Sequence, residues 1–238
     1  MTQKDKKNLI LWDWDNTLAD TFDAILLAIN DLRERYKLPP FSEEEARTKI
    51  NKSVRNMAKE WGLDEKDIPE ACHYFSACYS HYEHHLTLKE NAKDILEFAK
   101  ANNFYNVLAS NQETSILLRE AEQLSILDSF DRIVGAGDVK EDKPSKAFTD
   151  EAIKGFDVEN IISIGDGVSD VKMGHNYENG VSILVFSNVA SEKFKDHKPD
   201  YAVSGLDEAR EILKRFIPVP LTTHKKNSPV KRKQRGRE

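Results

Sequence analysis

Residues 8–17, NLILWDWDNT, decide how the rest of the chain is read. Leu9, Ile10, Leu11 and Trp12 form an apolar run that delivers Asp13 and Asp15, one residue apart, and then Thr17. A short apolar run of this kind predicts a buried strand. Side chains alternate between faces along a strand, so Asp13 and Asp15 project the same way if the extended backbone continues through Trp14. Neighbouring carboxylates repel, and a buried, unpaired one is costly. A cation must offset them, and a hard divalent ion such as Mg2+, which takes oxygen ligands, does so directly. Taken alone, the pair is better explained as a strand end whose acids meet solvent, because short patterns recur by chance.

The bulk properties narrow the class. With 238 residues, 39% hydrophobic and 32% charged, the chain reads as a soluble globular protein large enough for one domain with a substantial insertion. The net charge of −6 is uneven: from Pro218 onward Lys225, Lys226, Lys231, Arg232, Lys233, Arg235 and Arg237 stand against Glu238 alone, a balance of +6 that leaves −12 on residues 1–217. So acidic a body is no nucleic-acid surface; only the basic tail, expected to be disordered, offers a contact to nucleic acid or an acidic partner. No apolar stretch is long enough to cross a bilayer, so no membrane partner is expected. The charged start MTQKDKKN runs straight into the first strand, which predicts no secretory signal, a cytoplasmic location and free thiols at Cys72 and Cys78. Oligomeric state leaves no mark on the sequence.

Along the chain, Asp20 is placed to cap a helix over 21–36, with Phe22, Ile25, Leu26, Ile29 and Leu32 at helical spacing. Pro39-Pro40 ends it, and Ser42 with Glu45 forms a capping box for the next. Residues 51–62 and 67–86 also read helical, broken at Gly62 and near Pro69. So much helix before the next strand exceeds an ordinary connection and predicts a separate insertion. From Asn91 the rhythm changes: helix 91–102, strand 105–109, helix 113–124, strand 132–134, helix 144–155, strand 161–164, a short helix from Ser169, strands 181–186 and 201–203, and helix 206–216. This alternation predicts an α/β fold with a doubly wound, mainly parallel sheet. Residues 1–19 and 88–217 form the expected core domain, 20–87 a helical domain and 218–238 the tail.

Ligands bind beyond the carboxyl ends of the strands of such a sheet, and each end has a candidate. Ser110-Asn111 offers a hydroxyl and backbone N–H groups to an anion, or simply turns the chain. Lys143-Pro144 opens a helix with proline in its preferred first position, where a solvated lysine is the plain alternative. Gly165-Asp166-Gly167-Val168-Ser169-Asp170 sets two acids four residues apart around a tight turn, a pattern that an Asx-turn and helix cap also explain. His81 and His85 have metal-ligand spacing but lack a carboxylate set beyond Glu83, and Tyr74, Phe75, Tyr79 and Tyr82 read as helical core.

Taken in order, these strand ends resemble the motifs of the haloacid dehalogenase (HAD) superfamily, in its phosphoglycolate phosphatase-like and β-phosphoglucomutase-like branch with a four-helix cap. D-W-D-N-T-L is similar to the first motif, Ser110 to the second, Lys143 in K-P-S-K to the third and G-D-G-V-S-D to the fourth, over residues 8–216. The resemblance implies strand order 5-4-1-2-3 and a Mg2+-dependent phosphatase for a small phosphorylated metabolite, phosphoglycolate- or sugar-phosphate-like. It implies Asp13 as the nucleophile that becomes an aspartyl-phosphate, and Asp15 as general acid and then base. The Asp13 carboxylate, the Asp15 backbone carbonyl, Asp166 and Asp170 would hold Mg2+, while Thr17, Ser110, Asn111 and Lys143 would hold phosphoryl oxygens. A phosphoglucomutase-type phosphotransferase, a phosphoacceptor signalling domain and a non-catalytic binding protein are the alternatives. Asp15 speaks against a dehalogenase, which needs no proton donor, and the acceptor on the first strand speaks against a signalling receiver. The chain departs from the family pattern at Asn16, where glycine is usual and a left-handed backbone is expected, at Lys146 in place of a second proline, and at Ile50-Asn51 in place of Ile-Gly. Arg47, Lys49, Lys52 and Arg55 are cations on the helical insertion, available to a substrate or to solvent.

Overall fold

The computed structural model of the chain describes residues 6–50, 52–82, 86–185 and 194–217. In chain order these form β1 (Lys7–Trp12), β2 (Ala19–Asp20), α1 (Phe22–Arg35), α2 (Glu43–Lys49), α3 (Val54–Glu60), α4 (Ile68–Tyr82), β3 (Thr87–Leu88), α5 (Ala92–Ala101), β4 (Tyr105–Glu113), α6 (Thr114–Gln123), β5 (Arg132–Ala136), α7 (Lys146–Ile153), β6 (Val158–Gly165), α8 (Val168–Gly174), β7 (Gly180–Leu184), β8 (Tyr201–Ala202) and α9 (Leu206–Leu213). The main sheet runs β5-β4-β1-β6-β7-β8, and every neighbouring pair in it is parallel. Counting only its strands, β7-β6-β1-β4-β5 is the expected order 5-4-1-2-3, with β8 added at one edge.

β1 is central because both of its faces are apolar. Ile10 and Trp12 pack with residues of α5, α6 and α9, whereas Leu9 and Leu11 pack with Phe148 of α7 and Met173 of α8. A strand covered on both faces must read as a continuous apolar run, and this one does.

The four helices α1–α4 share an apolar core of their own, including Ile29, Leu32, Met57, Ile68, Phe75 and Tyr79, to which α6 adds Ile116. Tyr74 and Tyr82 pack against its edge. The chain enters and leaves this insert through the antiparallel ribbon β2–β3, where Ala19 pairs with Leu88 and Asp20 with Thr87. The capping box at Ser42 and Glu45 is formed. Among the described residues no helix is long and apolar enough to cross a membrane.

Several boundaries differ from those predicted. Asp20 does not cap α1: it lies in β2 and pairs with Lys89 at 2.8 Å, while Thr21 takes the cap position. Pro69 stands in the first turn of α4, where its missing N–H costs nothing, so it opens the helix and does not break it. Pro144 precedes α7, whose N-cap is Ser145, accepting from the Phe148 N–H at 3.1 Å. β4 extends through Ser110 and Asn111 to Glu113, so those residues belong to a strand and not to a turn. Asn51, Glu83, His85, Phe186 and the tail 218–238 lie outside the described residues.

Candidate active site

The polypeptide leaves the sheet immediately after β1. The Asp13 N–H still donates to the Ile164 carbonyl at 2.9 Å, but the Trp14 carbonyl then accepts from the N–H groups of Thr17, Leu18 and Ala19 at 3.2, 3.0 and 3.0 Å. Asn16 adopts φ 60° in this turn, the left-handed conformation that asparagine tolerates. The regular strand ends at Trp12, Asp15 forms an isolated bridge with Ala19, and the two acids receive different partners.

Asp13 is held by charge. Its Oδ1 accepts from Lys143 Nζ at 2.5 Å and its Oδ2 from the Thr17 hydroxyl at 2.8 Å. Asp15 is held by hydroxyls, with Thr21 Oγ1 at 2.8 Å from Oδ1 and Ser110 Oγ at 3.3 Å from Oδ2. Thr21 is fully buried, and nothing in the sequence separated it from an ordinary helix start.

Lys143 crosses from the segment between β5 and α7. Its Nζ also donates to Asp170 Oδ1 at 2.8 Å and to the Ala109 carbonyl at 3.1 Å, so three acceptors use its three N–H bonds. The Asn111 side-chain amide donates to the Lys143 carbonyl at 3.1 Å and steadies that segment. Asp170 Oδ2 in turn accepts from the Gly167 N–H at 3.0 Å. Gly165 makes this possible: a Cβ there would lie 2.0 Å from Asp170 Cγ.

The electrostatics follow from this crowding. Burial, aided by Asp170, pushes the Asp13 carboxyl up to about 7 in spite of Lys143. Burial also raises Asp15, against the opposing hydrogen bonds from Thr21 and Ser110. For Lys143, burial works against the ammonium, yet Asp13 and Asp170 outweigh it and raise its pKa. Asp166 is raised well above the carboxylate range by burial and then by Asp13 and Asp170. Among the described residues it has neither a hydrogen-bond nor an ion-pair partner.

These acids fit a hard cation. One oxygen each from Asp13, Asp166 and Asp170 lies within 4.8 Å of the others. Three carboxylate oxygens around one point, with a single ammonium among them, leave negative charge that a divalent ion with oxygen ligands would neutralise. The Asp15 carboxylate is not one of this trio, although its charge reaches Asp13 and Asp166.

The insert's cations divide into two kinds. Arg47 pairs with Glu43 at 2.5 Å, Lys49 with Glu45 at 2.8 Å and Lys52 with Glu60, all on the insert itself. Arg55 instead lines a cavity of about 50 Å3 between insert and sheet, with Ser53, Cys72, Asn111, Glu113 and Gly137, and makes no ion pair among the described residues. His81 is exposed on α4. Asp142, beside Lys143, accepts from Asn56 Nδ2 at 2.6 Å and from the Ser53 hydroxyl, a link between insert and sheet hidden in the charged run Lys140–Lys143.

The model of the haloacid dehalogenase-like hydrolases matches residues 10–185, from within β1 to just past β7. The chain belongs to that family. Among its HAD relatives, a phosphoglycolate phosphatase from Chromobacterium violaceum is 26% identical over 172 residues, 68% of this chain and 78% of that protein. The pyrophosphatase PpaX of Bacillus pumilus is 21% identical over 87% of this chain and 96% of its own length. The HAD fold is shared with the crystal structure of a predicted phosphatase from Clostridium acetobutylicum, at TM-score 0.76 and 20% identity over 89% of this chain and all of that one.

Proposed function

We propose that the chain is a Mg2+-dependent phosphatase that hydrolyses a small phosphorylated metabolite through an aspartyl-phosphate on Asp13. The observation that carries this reading is the convergence of Lys143, Asp166 and Asp170 on the end of β1. Asp13, Asp166 and Asp170 would hold the ion, which supplies neutralising charge against the phosphoryl oxygens when bound. An Asp13 oxygen attacks phosphorus in line while the bond to the leaving oxygen breaks, and Asp15 gives that oxygen a proton. Its raised pKa keeps a proton within reach. The ionised Asp15 then takes a proton from the water that attacks the phosphoryl group, and the bond to Asp13 breaks. Lys143, Thr17 and Ser110 surround the transferred group and stabilise the charge that builds on it.

The helical insert acts as a cap over this site, with residues 20–87 as a domain distinct from the core. Arg55, which lines the cavity and makes no ion pair among the described residues, supports a substrate with a second anionic group. The carboxylate of phosphoglycolate and the second phosphoryl group of pyrophosphate both meet that description, and the names of the two relatives favour them. The test is phosphate release from a panel of phosphorylated metabolites, phosphoglycolate and pyrophosphate included, with Mg2+ present and Asp13→Asn as the blank. Turnover in the parent and none in Asp13→Asn is the expected result; equal rates in both would remove Asp13 from the chemistry.

A further inference from the structure

Glu120 on α6 has no exposed surface. Its Oε2 accepts from the indole N–H of Trp14 at 2.5 Å, and its Oε1 accepts from the hydroxyl of Tyr79 at 2.6 Å. Trp14 separates Asp13 from Asp15, whereas Tyr79 belongs to α4 of the insert, and both are fully buried. The same helix α6 places Ile116 in the insert's apolar core and Leu117 and Ala121 in that of the sheet. Glu120 therefore stands at the seam of two cores and ties one to the turn that carries the acids.

The choice of residue is informative. A carboxylate of this length accepts at both oxygens, whereas a glutamine amide accepts at one and turns N–H groups toward the other donor. An apolar residue here would leave both buried donors without an acceptor, which is costly. Glu120 therefore satisfies two buried donors that come from different parts of the fold, one from the turn that carries the acids and one from the insert. We propose that Glu120 is a positioning residue: through Trp14 it fixes the backbone that aims Asp13 and Asp15, and through Tyr79 it makes that aim depend on the seat of the insert. Its kinetic consequence rests on the phosphatase reading; its structural consequence does not.

The test uses the full chain with 15N-labelled tryptophan, which gives indole N–H signals for Trp12, Trp14 and Trp61, that of Trp14 being assigned by its absence in Trp14→Phe. Tyr79→Phe removes one oxygen from the insert and leaves Trp14 untouched. The Trp14 signal should shift and exchange faster with solvent, while that of Trp12, whose N–H donates to Asn106 Oδ1 at 2.9 Å, should stay in place. In the same variant kcat should fall about tenfold with KM nearly unchanged, and more deeply in Glu120→Gln, because small misplacements of reacting groups are costly. Neither residue lines the cavity. An unmoved Trp14 signal in Tyr79→Phe overturns the coupling whatever the activity. A lower melting temperature with undiminished kcat makes Glu120 structural only and overturns the positioning role. A parent without turnover defeats the phosphatase reading and leaves the indole signal to decide the coupling.

Discussion

Charged side chains at the carboxyl end of the sheet and those on the helical insert are arranged in opposite ways. At the sheet, Asp13, Lys143 and Asp170 have all but left solvent, and two acids share one ammonium around a single point. On the insert, Arg47, Lys49 and Lys52 keep roughly half of their side-chain surface exposed, the first two paired one helical turn back along α2 and the third with Glu60 at the end of α3. Exposed pairs contribute about 0–1 kcal/mol, so they are free to exist without purpose. Buried ones are held against a desolvation penalty of several kcal/mol per ion and persist where something else requires them. Loss of solvent, more than the presence of a cation, marks the site.

The sharpest way to break this contrast is to remove the ammonium. Lys143→Met leaves the buried acids facing one another without their common partner, which should cost about 3–5 kcal/mol of stability. Turnover should fall by at least about a hundredfold, since positioned charge is the main term in this class of transfer. Lys143→Arg should not rescue it, because a planar guanidinium cannot direct three N–H bonds at Asp13, Asp170 and the Ala109 carbonyl as an ammonium does. Urea unfolding and phosphate release measure both effects. Near-parental rates in either variant would take Lys143 out of the site.

A smaller effect tests whether the acid cluster is starved of positive charge. In the presence of EDTA, Asp13 and Asp166 hold protons in the folded state that they lose in the unfolded one, because both folded values are raised. The folded state then binds more protons, so stability falls as pH rises from about 4, where unfolded carboxylates ionise, to about 7. Lys143 adds no slope there, since its stabilising shift is lost only at strongly alkaline pH. Denaturant midpoints at pH 5 and pH 7 should show the decline relative to Asp166→Asn, in which it is shallower, and added Mg2+ should reverse it at pH 7. An identical pH profile for the parent and Asp166→Asn would mean that Asp166 carries no such strain.

How much of this was legible in the sequence depended on how few readings each segment allowed. The apolar run of β1 admits one environment, a strand buried on both faces, and strands alternating with helices pointed to a parallel sheet, whose order came from the family resemblance and not from the pattern itself. Asp13, Asp15, Lys143, Asp166 and Asp170 stood at strand ends or helix starts, where such a sheet binds ligands. Thr21 and Glu120 were hidden because each has an ordinary local meaning. A threonine at a helix start reads as a cap, and Glu120 within REAEQ reads as a solvated face. Their partners, Asp15 for one and Trp14 with Tyr79 for the other, are set by the packing of insert on sheet, which no local pattern encodes. Arg55 and Lys52 are likewise indistinguishable at three residues' separation until the orientation of α3 is known.

That last pair supplies the smallest predicted effect. Lys52 and Arg55 lie three residues apart, yet Lys52 turns to Glu60 while Arg55 lines the cavity. Lys52→Ala breaks only a half-exposed ion pair, so stability should change by less than about 0.5 kcal/mol and KM for any substrate found should stay the same. Arg55→Ala should also leave stability nearly unchanged, since no ion pair among the described residues is lost, but should raise KM for a substrate with a second anionic group. The two residues share a charge and a similar length of aliphatic stem, one just before α3 and one in its first turn, and differ in where the cation is spent. A KM increase in Lys52→Ala equal to that in Arg55→Ala would mean that the Glu60 pair opens to admit substrate, and the distinction between paired surface cations and the cavity's arginine would fail.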